Sequence, residues 1–307
     1  AAPPLPAPSA PVISAEETAW QKVAAAAKKE GTLTTYQYQL IGDAGTAVLG
    51  TFRRQTGIVV DNVSAPPAAM VERLKVERRT GILVAGVFGA GVTEALQAKN
   101  ERLLQPMGYL PSLADKAAWY INPIMDGEGY VVASSQGLQG PWINTNLVKP
   151  GQEPRSWRDL LQPQWKGKID AGDPSLSAPV VRMFYYLTKY GGIDEAYFRQ
   201  LGTQVSWSPT FRQSGEKVAR GEMPMLLFNS AFGQGRYLVE GAPIKAIDME
   251  EGVVGMQSAT VSLLDGSPHP NAARLFVNFF LSKEGQDLFN KPLLSQSIRK
   301  DVPNFEP

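Results

Sequence analysis

Between Ser14 and Gly91 the chain alternates short apolar segments with amphipathic ones, and that alternation leaves few folds open to it. Ser14 and Glu17 have the spacing of a capping box, followed by an apolar stripe at Trp20, Val23, Ala24 and Ala27; Lys28, Lys29 and Gly31 close the helix. A strand "TLTTYQY" comes next, then a helical segment from about 43 to 55 that stops at Gly57. Strand "IVVDNV", helix "AAMVERLKVERR" stopped by Gly81, strand "ILVAGVF" and a short helix after Gly91 complete the series. Such β-α-β-α-β order predicts a parallel sheet wrapped by helices.

A second series follows the extended stretch "YVVASSQGLQGPWINTN". Strand "KGKIDAGD" leads to a helix over about 178 to 189, helix "DEAYFRQLG" to strand "QVSWS", and helix "RQSGEKVAR" to strand "MPMLLFN". Helix "GRYLVEG" and strand "IKAIDM" end it. Strand "GMQSATVSLL" and a helix opened by Pro270, with Ala272, Leu275, Phe276, Phe279 and Phe280 on one face, have no sheet of their own to cover. They are expected to return to the first unit. The division predicted is an extended Pro/Ala-rich arm over 1–13, a discontinuous lobe 1 over 14–133 plus 255–307, and lobe 2 over 134–254. The chain then crosses between lobes near 130–140 and 245–257, and two crossings make a hinge beside a cleft.

Composition excludes several chemistries. Thirty basic residues balance twenty-nine acidic ones, so neither nucleic acid nor an anionic membrane surface is an expected partner. Cysteine is absent, and His269 is the only histidine, which removes thiol nucleophiles, Cys-based metal sites and His-dependent triads. His269 precedes a helix and reads as a capping or surface residue. No nucleophile elbow, Walker A or HExxH pattern is present, and no cofactor is expected. The acids of "DMEEG" at 248 to 252 fall near an expected crossing, where Glu250 and Glu251 read as a solvated turn. No apolar run spans a bilayer. The opening "AAPPLPAPSAPVI" is the kind of start an exported protein has after its signal peptide is cleaved. The expectation is a free periplasmic monomer.

Several motifs, in order, resemble the periplasmic solute-binding proteins of ABC transporters, in the class 2 branch that holds ferric-ion-binding proteins and relatives for small organic solutes. They are "FRRQTGIVV", "VERLKVER", "INTNLV", "SWRDLLQPQWKGKI", "VARGEMPMLLFN", "HPNAARLFVNFFLSKEGQ" and "SIRKDV". The resemblance implies an α/β, two-lobed periplasmic-binding-protein fold of type II: two α/β sandwiches, a hinge, a solute bound between the lobes, and an inner-membrane ABC permease as partner. Ferric-binding relatives carry two adjacent tyrosines where this chain has Ala231 and Phe232, a histidine near Leu40 and an acid near Gly91. With those hard oxygen donors missing, no metal is expected. The pair Tyr185 and Tyr186 lies mid-helix and reads as helix packing.

The resemblance and the rule that ligands sit beyond the carboxyl ends of parallel strands point to the same four places. Tyr36, Gln37 and Tyr38 end the first strand, although alternating Tyr-Gln-Tyr is also ordinary strand pattern. Gly89, Ala90 and Gly91 let backbone approach a ligand or simply turn tightly. Ser175 and Ser177 precede a helix and suit an anion, with N-capping as the competing reading. The last place is Asn229, Ser230 and Phe232, with Trp207, Phe211 and Arg212 nearby. Arg212 can pair with a carboxylate or phosphonate, or stand solvated in a first helical turn. An importer component for a small organic solute with an acidic head and an apolar or aromatic body is the function expected. A ferric-ion, polyamine or phosphonate binder of the same family, a sensor partner and an enzyme are the alternatives.

Overall fold

The computed structural model describes residues 14–175, 178–229, 231–252 and 254–303. The expected arm over 1–13, Ser177 and Ser230 lie outside them. For Asn229, Ala231 and Phe232 only the backbone is described. The chain divides into two compact units, Ala1–Val132 with Val261–Gly285, and Ala133–Thr260 with Gln286–Pro307.

Unit 1 contains α1 (Ala15–Glu30), β1 (Thr32–Gln37), α2 (Gly42–Thr56), β2 (Val59–Val63), α3 (Pro67–Thr80), β3 (Val87–Gly89), α4 (Val92–Asn100), β4 (Leu104–Gln105) and α5 (Pro111–Ala114). Its sheet runs β2-β1-β3, all parallel. Helix α1 starts where Ser14 Oγ accepts from Glu17 N at 3.1 Å and ends on Gly31 at φ 70°, a conformation glycine adopts without penalty. Strand β3 is shorter than the expected "ILVAGVF". The regular strand starts only at Val87, although Gly86 still donates to Thr34 O at 2.9 Å and accepts from Leu264 N at 3.0 Å; glycine is needed at 86 because the segment 267–273 passes close. A Cβ there would lie 2.6 Å from Ser267 Oγ and 2.9 Å from Ala273 Cβ.

Unit 2 contains most of β5 (Val132–Asn144), then β6 (Ile169–Gly172), α6 (Ala178–Tyr190), α7 (Glu195–Gly202), β7 (Val205–Ser208), α8 (Phe211–Ala219), β8 (Met225–Asn229), α9 (Ala231–Val239) and β9 (Ile244–Ala246). Its sheet runs β5-β8-β6-β7, with β6 parallel to both neighbours, β5 antiparallel to β8, and β9 antiparallel on β5. Trp157, Leu160, Ile169, Met183, Leu187 and Phe228 are among its buried core. Helix α9 starts four residues before the expected Gly235.

The chain leaves unit 1 inside β5 and returns inside β10 (Val254–Leu264), whose last residues pair antiparallel with β3 and β4. Helix α10 (Pro270–Phe280) then covers α1 and α2, with Phe52 edge-on to Phe276 at 5.2 Å. The cap of α10 is Glu30, whose carboxylate accepts from Asn271 N at 3.2 Å and Ala272 N at 2.7 Å; His269 sits at the N-cap without a side-chain bond. A negative charge is stabilising there.

The chain passes a third time inside α11 (Lys283–Asn290), and residues from Gln286 onward group with unit 2, where the sequence reading kept 255–307 together. Leu294 packs on Gly235 of unit 2, and polar bonds add to it. Gln136 and Gln296 exchange backbone bonds at 2.8 and 3.1 Å, and Ser297 Oγ donates to buried Gln286 Oε1 at 2.8 Å. An apolar-periodicity argument does not register such contacts.

One buried charge ties unit 2 together. The Asp170 side chain, fully buried in β6, accepts from Ser208 Oγ at 2.7 Å, Ser214 Oγ at 2.5 Å and Lys217 Nζ at 2.9 Å. Asp170→Ala removes the buried charge, leaves Lys217 partly exposed and strips the Ser208 and Ser214 hydroxyls of their acceptor, so it should cost about 1–3 kcal/mol in denaturant titration; a loss well below about 1 kcal/mol means the network is not what holds β6, β7 and α8.

Candidate functional site

The carboxyl ends of β1 and β3 form the site region of unit 1. Tyr36 does not belong to its surface. The ring is fully buried, its hydroxyl donates to Glu77 Oε1 at 2.5 Å, and the Arg73 guanidinium lies 4.7 Å from the ring centroid. Burial, then the bond to Glu77, pushes the Tyr36 hydroxyl well above the usual phenol range. Glu77 also takes Arg73 Nε at 2.9 Å, so the expected ligand contact at Tyr36 is instead a core residue anchored to α3. Tyr38 is half exposed, and its N–H donates to Gly89 O at 3.1 Å. Gln37, between them, is buried against Gly89. Ala90 is buried and Gly91 is the N-cap of α4. A depression of about 370 Å³ lies beside this region, lined by Leu40, Ile41, Thr46, Asn62 and Ser64 among others.

In unit 2 the ends of β6 and β7 set the geometry. Gly172 pairs with Ser208, and a Cβ at Gly172 would meet Phe211 Cδ1 at 3.1 Å, so glycine there lets Phe211 close over the strand end. Phe211 and Trp207 are partly buried against the unit 2 core. Thr210 caps α8 by accepting from Gln213 N at 3.2 Å. One residue into that helix, Arg212 is exposed and forms no hydrogen bond or ion pair with the described residues. The structure thus brings Trp207, Phe211 and Arg212 together at one strand end.

Ser175 behaves otherwise than expected. Its N–H and hydroxyl both donate to Asp173 Oδ1, at 2.8 and 2.6 Å, and these two bonds hold the Asp173 carboxyl below the usual range. A hydroxyl already donated to a carboxylate does not serve an anion. Tyr185 and Tyr186 are exposed on α6 rather than packed, and Tyr185 Oη accepts from Lys189 Nζ at 3.1 Å. Among the described residues, no three His, Asp or Glu side chains gather as a metal site.

Two buried acids also leave a mark in the sequence. Asp170 is a charge inside an apolar strand, and Glu77 falls on the apolar stripe of Met70, Val71 and Leu74. Both are buried because both are fully partnered.

A family model for bacterial extracellular solute-binding proteins matches residues 88–305, well over half the chain, and the protein belongs to that family. A Haemophilus influenzae protein of uncharacterised function is 27% identical over 285 residues, covering 87% of this chain and 77% of that protein. A Salmonella typhimurium protein, whose name proposes 2-aminoethylphosphonate binding in the periplasm, is 24% identical across 89% of this chain and 80% of its own. Among solved structures, iron-bound HitA from Pseudomonas aeruginosa superposes with a TM-score of 0.75 at 20% identity, over 90% of this chain and 89% of that one. AfuA from Actinobacillus pleuropneumoniae, with fructose-6-phosphate bound, gives 0.73 at 23% identity over 89% and 87%. The fold is that of the type II periplasmic binding proteins, and the family consists of binding proteins.

Of the acids at 248 to 252, Asp248 and Glu250 are exposed, whereas Glu251 has a structural role. Glu251 is largely buried and accepts from Ser156 Oγ at 2.6 Å, Trp157 N at 3.0 Å and Arg158 Nη1 at 3.0 Å; the turn expected there is present with Glu250 exposed, but Glu251 is not solvated. Burial alone pushes its pKa up, but those bonds and the Arg158 charge together hold it below the ordinary 4.5. A depressed folded pKa gives stability that is fully present above the unfolded value and lost as pH falls through the folded one. Denaturation midpoints should therefore hold steady from neutrality to about pH 5 and drop below about pH 4. Glu251→Gln should lower the midpoint at pH 7 by about 1–3 kcal/mol equivalent and flatten the acid-side slope. A variant with the wild-type slope contradicts this assignment.

Proposed function

We propose that the protein captures a small organic anion in the periplasm and delivers it to an inner-membrane ABC permease. The single observation that carries the reading is Arg212: an exposed guanidinium in the first turn of α8, unpaired among the described residues, beside Phe211 and Trp207. Guanidinium matches carboxylate, phosphonate and phosphate oxygens in a bidentate way, and the neighbouring rings suit an apolar or aromatic body. The Salmonella relative's name and the sugar phosphate bound to AfuA lend support, since both ligands carry an acidic phosphorus group. Ferric ion is disfavoured because Ala231 and Phe232 stand where ferric-binding relatives carry tyrosines. The protein acts as a monomer, with no catalysis: the solute leaves as it came.

The mechanism is capture by closure, the mode the family resemblance implies. The solute shifts the open–closed equilibrium only by binding the closed form more tightly. Solution scattering should show a smaller radius of gyration with saturating solute, and an unchanged radius counts against closure.

Calorimetry tests the ligand class. Titrated with 2-aminoethylphosphonate, fructose 6-phosphate, glycerol 3-phosphate, aromatic carboxylates and Fe(III), the protein should bind at least one organic acid, and Arg212→Ala should weaken that binding tenfold or more. Tight Fe(III) binding without an organic acid, or full affinity in Arg212→Ala, contradicts the reading.

A further inference from the structure

We propose that unit 1 carries a small-molecule site of its own, away from the strand ends, that takes an apolar carboxylate: a cavity of about 430 Å³ formed within the run 113–124, between α5 and β5. The proposal stands apart from the solute reading above. None of its lining residues belongs to the ends of β1 and β3 or to the depression beside them.

The cavity is made by one short stretch of chain pinned at both ends. At its start, α5 is held to α10 where Ser112 N donates to Asn278 Oδ1 at 2.9 Å, and Trp119 Nε1 reaches back to donate to Ser112 O at 3.3 Å. A short helical turn over Lys116–Ala118 lies between them. At its end, Ile124 bridges Val132 antiparallel, and Met125 N donates to Val131 O at 2.9 Å. Trp119 and Pro123 are buried, and Leu113 and Ile124 half-buried, so these apolar walls are fixed. Tyr120 and Ile121, by contrast, are 53% and 42% exposed. Large apolar side chains left in water around a concavity mark a place where something binds.

Charge and size decide the occupant. Lys116 is the one charged side chain of the lining; it is exposed and forms no ion pair with the described residues, and no acid occurs between it and Met125. Asn122 Oδ1 accepts from Ile124 N at 3.1 Å, which leaves its Nδ2 to donate, and the Tyr120 hydroxyl adds another donor. Donors without a carboxylate beside them suit an anionic head, and the walls suit a hydrocarbon or aromatic body. Small-ligand pockets run from about 300 to 1,000 Å³, and this cavity falls in that range. A stable protein interface draws on about 20–30 residues a side, whereas this lining has eight. A small molecule therefore fits where a second chain does not.

Octanoate is the probe, with octanamide as its neutral counterpart. In the ¹⁵N-labelled protein, octanoate should shift the Trp119 indole N–H and the backbone amides of 116–122 along one saturable curve. Octanamide should bind there about two- to fivefold more weakly, the worth of an exposed ion pair. Lys116→Ala should weaken octanoate by that factor and erase the difference between the probes, and Ile121→Asp should abolish the shifts. Both side chains are exposed, so both variants should melt as wild type does. Arg212→Ala should still bind octanoate at this cavity. Shifts that do not saturate, equal wild-type affinities for the two probes, an unaffected Lys116→Ala or shifts retained in Ile121→Asp overturn the inference. Loss of the shifts in Arg212→Ala overturns it as well, because the cavity then belongs to the solute site. Sedimentation tests the rival occupant: a wild-type dimer that Ile121→Asp renders monomeric assigns the cavity to a second copy and overturns the inference too.

Discussion

The buried carboxylate of Asp170 is the constraint on which the organisation of unit 2 rests. A charge taken out of water must be paired and hydrogen-bonded, and here Ser208 at the end of β7, and Ser214 and Lys217 on α8, supply the partners. Because those partners come from two elements, satisfying one charge fixes where α8 starts relative to the strand ends. Phe211 and Arg212 lie in its first turn and Trp207 one residue before Ser208, so their positions follow from it. The bland part of the network thus aims the reactive part.

Unit 1 solves the same problem with different groups. Tyr36 and Arg73 satisfy Glu77 and pin α3 to β1, which leaves the next residue, Gln37, at the strand end. The alternation of β1 decides the division of labour: Tyr36 serves the α3 side, and Gln37 faces the other way onto Gly89.

How much of this was legible in the sequence follows from the kind of signal each feature leaves. Helices closed by Gly31, Gly57 and Gly81 were readable because a left-handed φ favours glycine, and each of these residues has one. The α/β class followed from alternation. Side-chain fates were less legible. Tyr36 and Tyr38 look equivalent in "TYQY", and only the partner Glu77, 41 residues on, separates the buried one from the exposed one. Ser175 looked like an anion donor until Asp173, two residues before it, took its hydroxyl. The chain after Gly285 is joined to unit 2 by the Gln136–Gln296 backbone exchange and by the packing of Leu294 on Gly235, single contacts that carry no periodicity. Short-range chemistry beside a named residue, such as Asp173 near Ser175, was available and is the kind of clue that deserves weight.

Family membership defines a solute-binding protein, and the proposed preference for an organic acid rests on the exposed Arg212 at the start of α8. The most direct measurement is nuclear magnetic resonance of the ¹⁵N-labelled protein, following the Arg212 side-chain Nε–H during titration with an organic phosphonate or phosphate ester that binds. The account predicts that this resonance moves to saturation along the calorimetric binding curve. A solute that saturates the protein while the Arg212 signal stays where it was contradicts it.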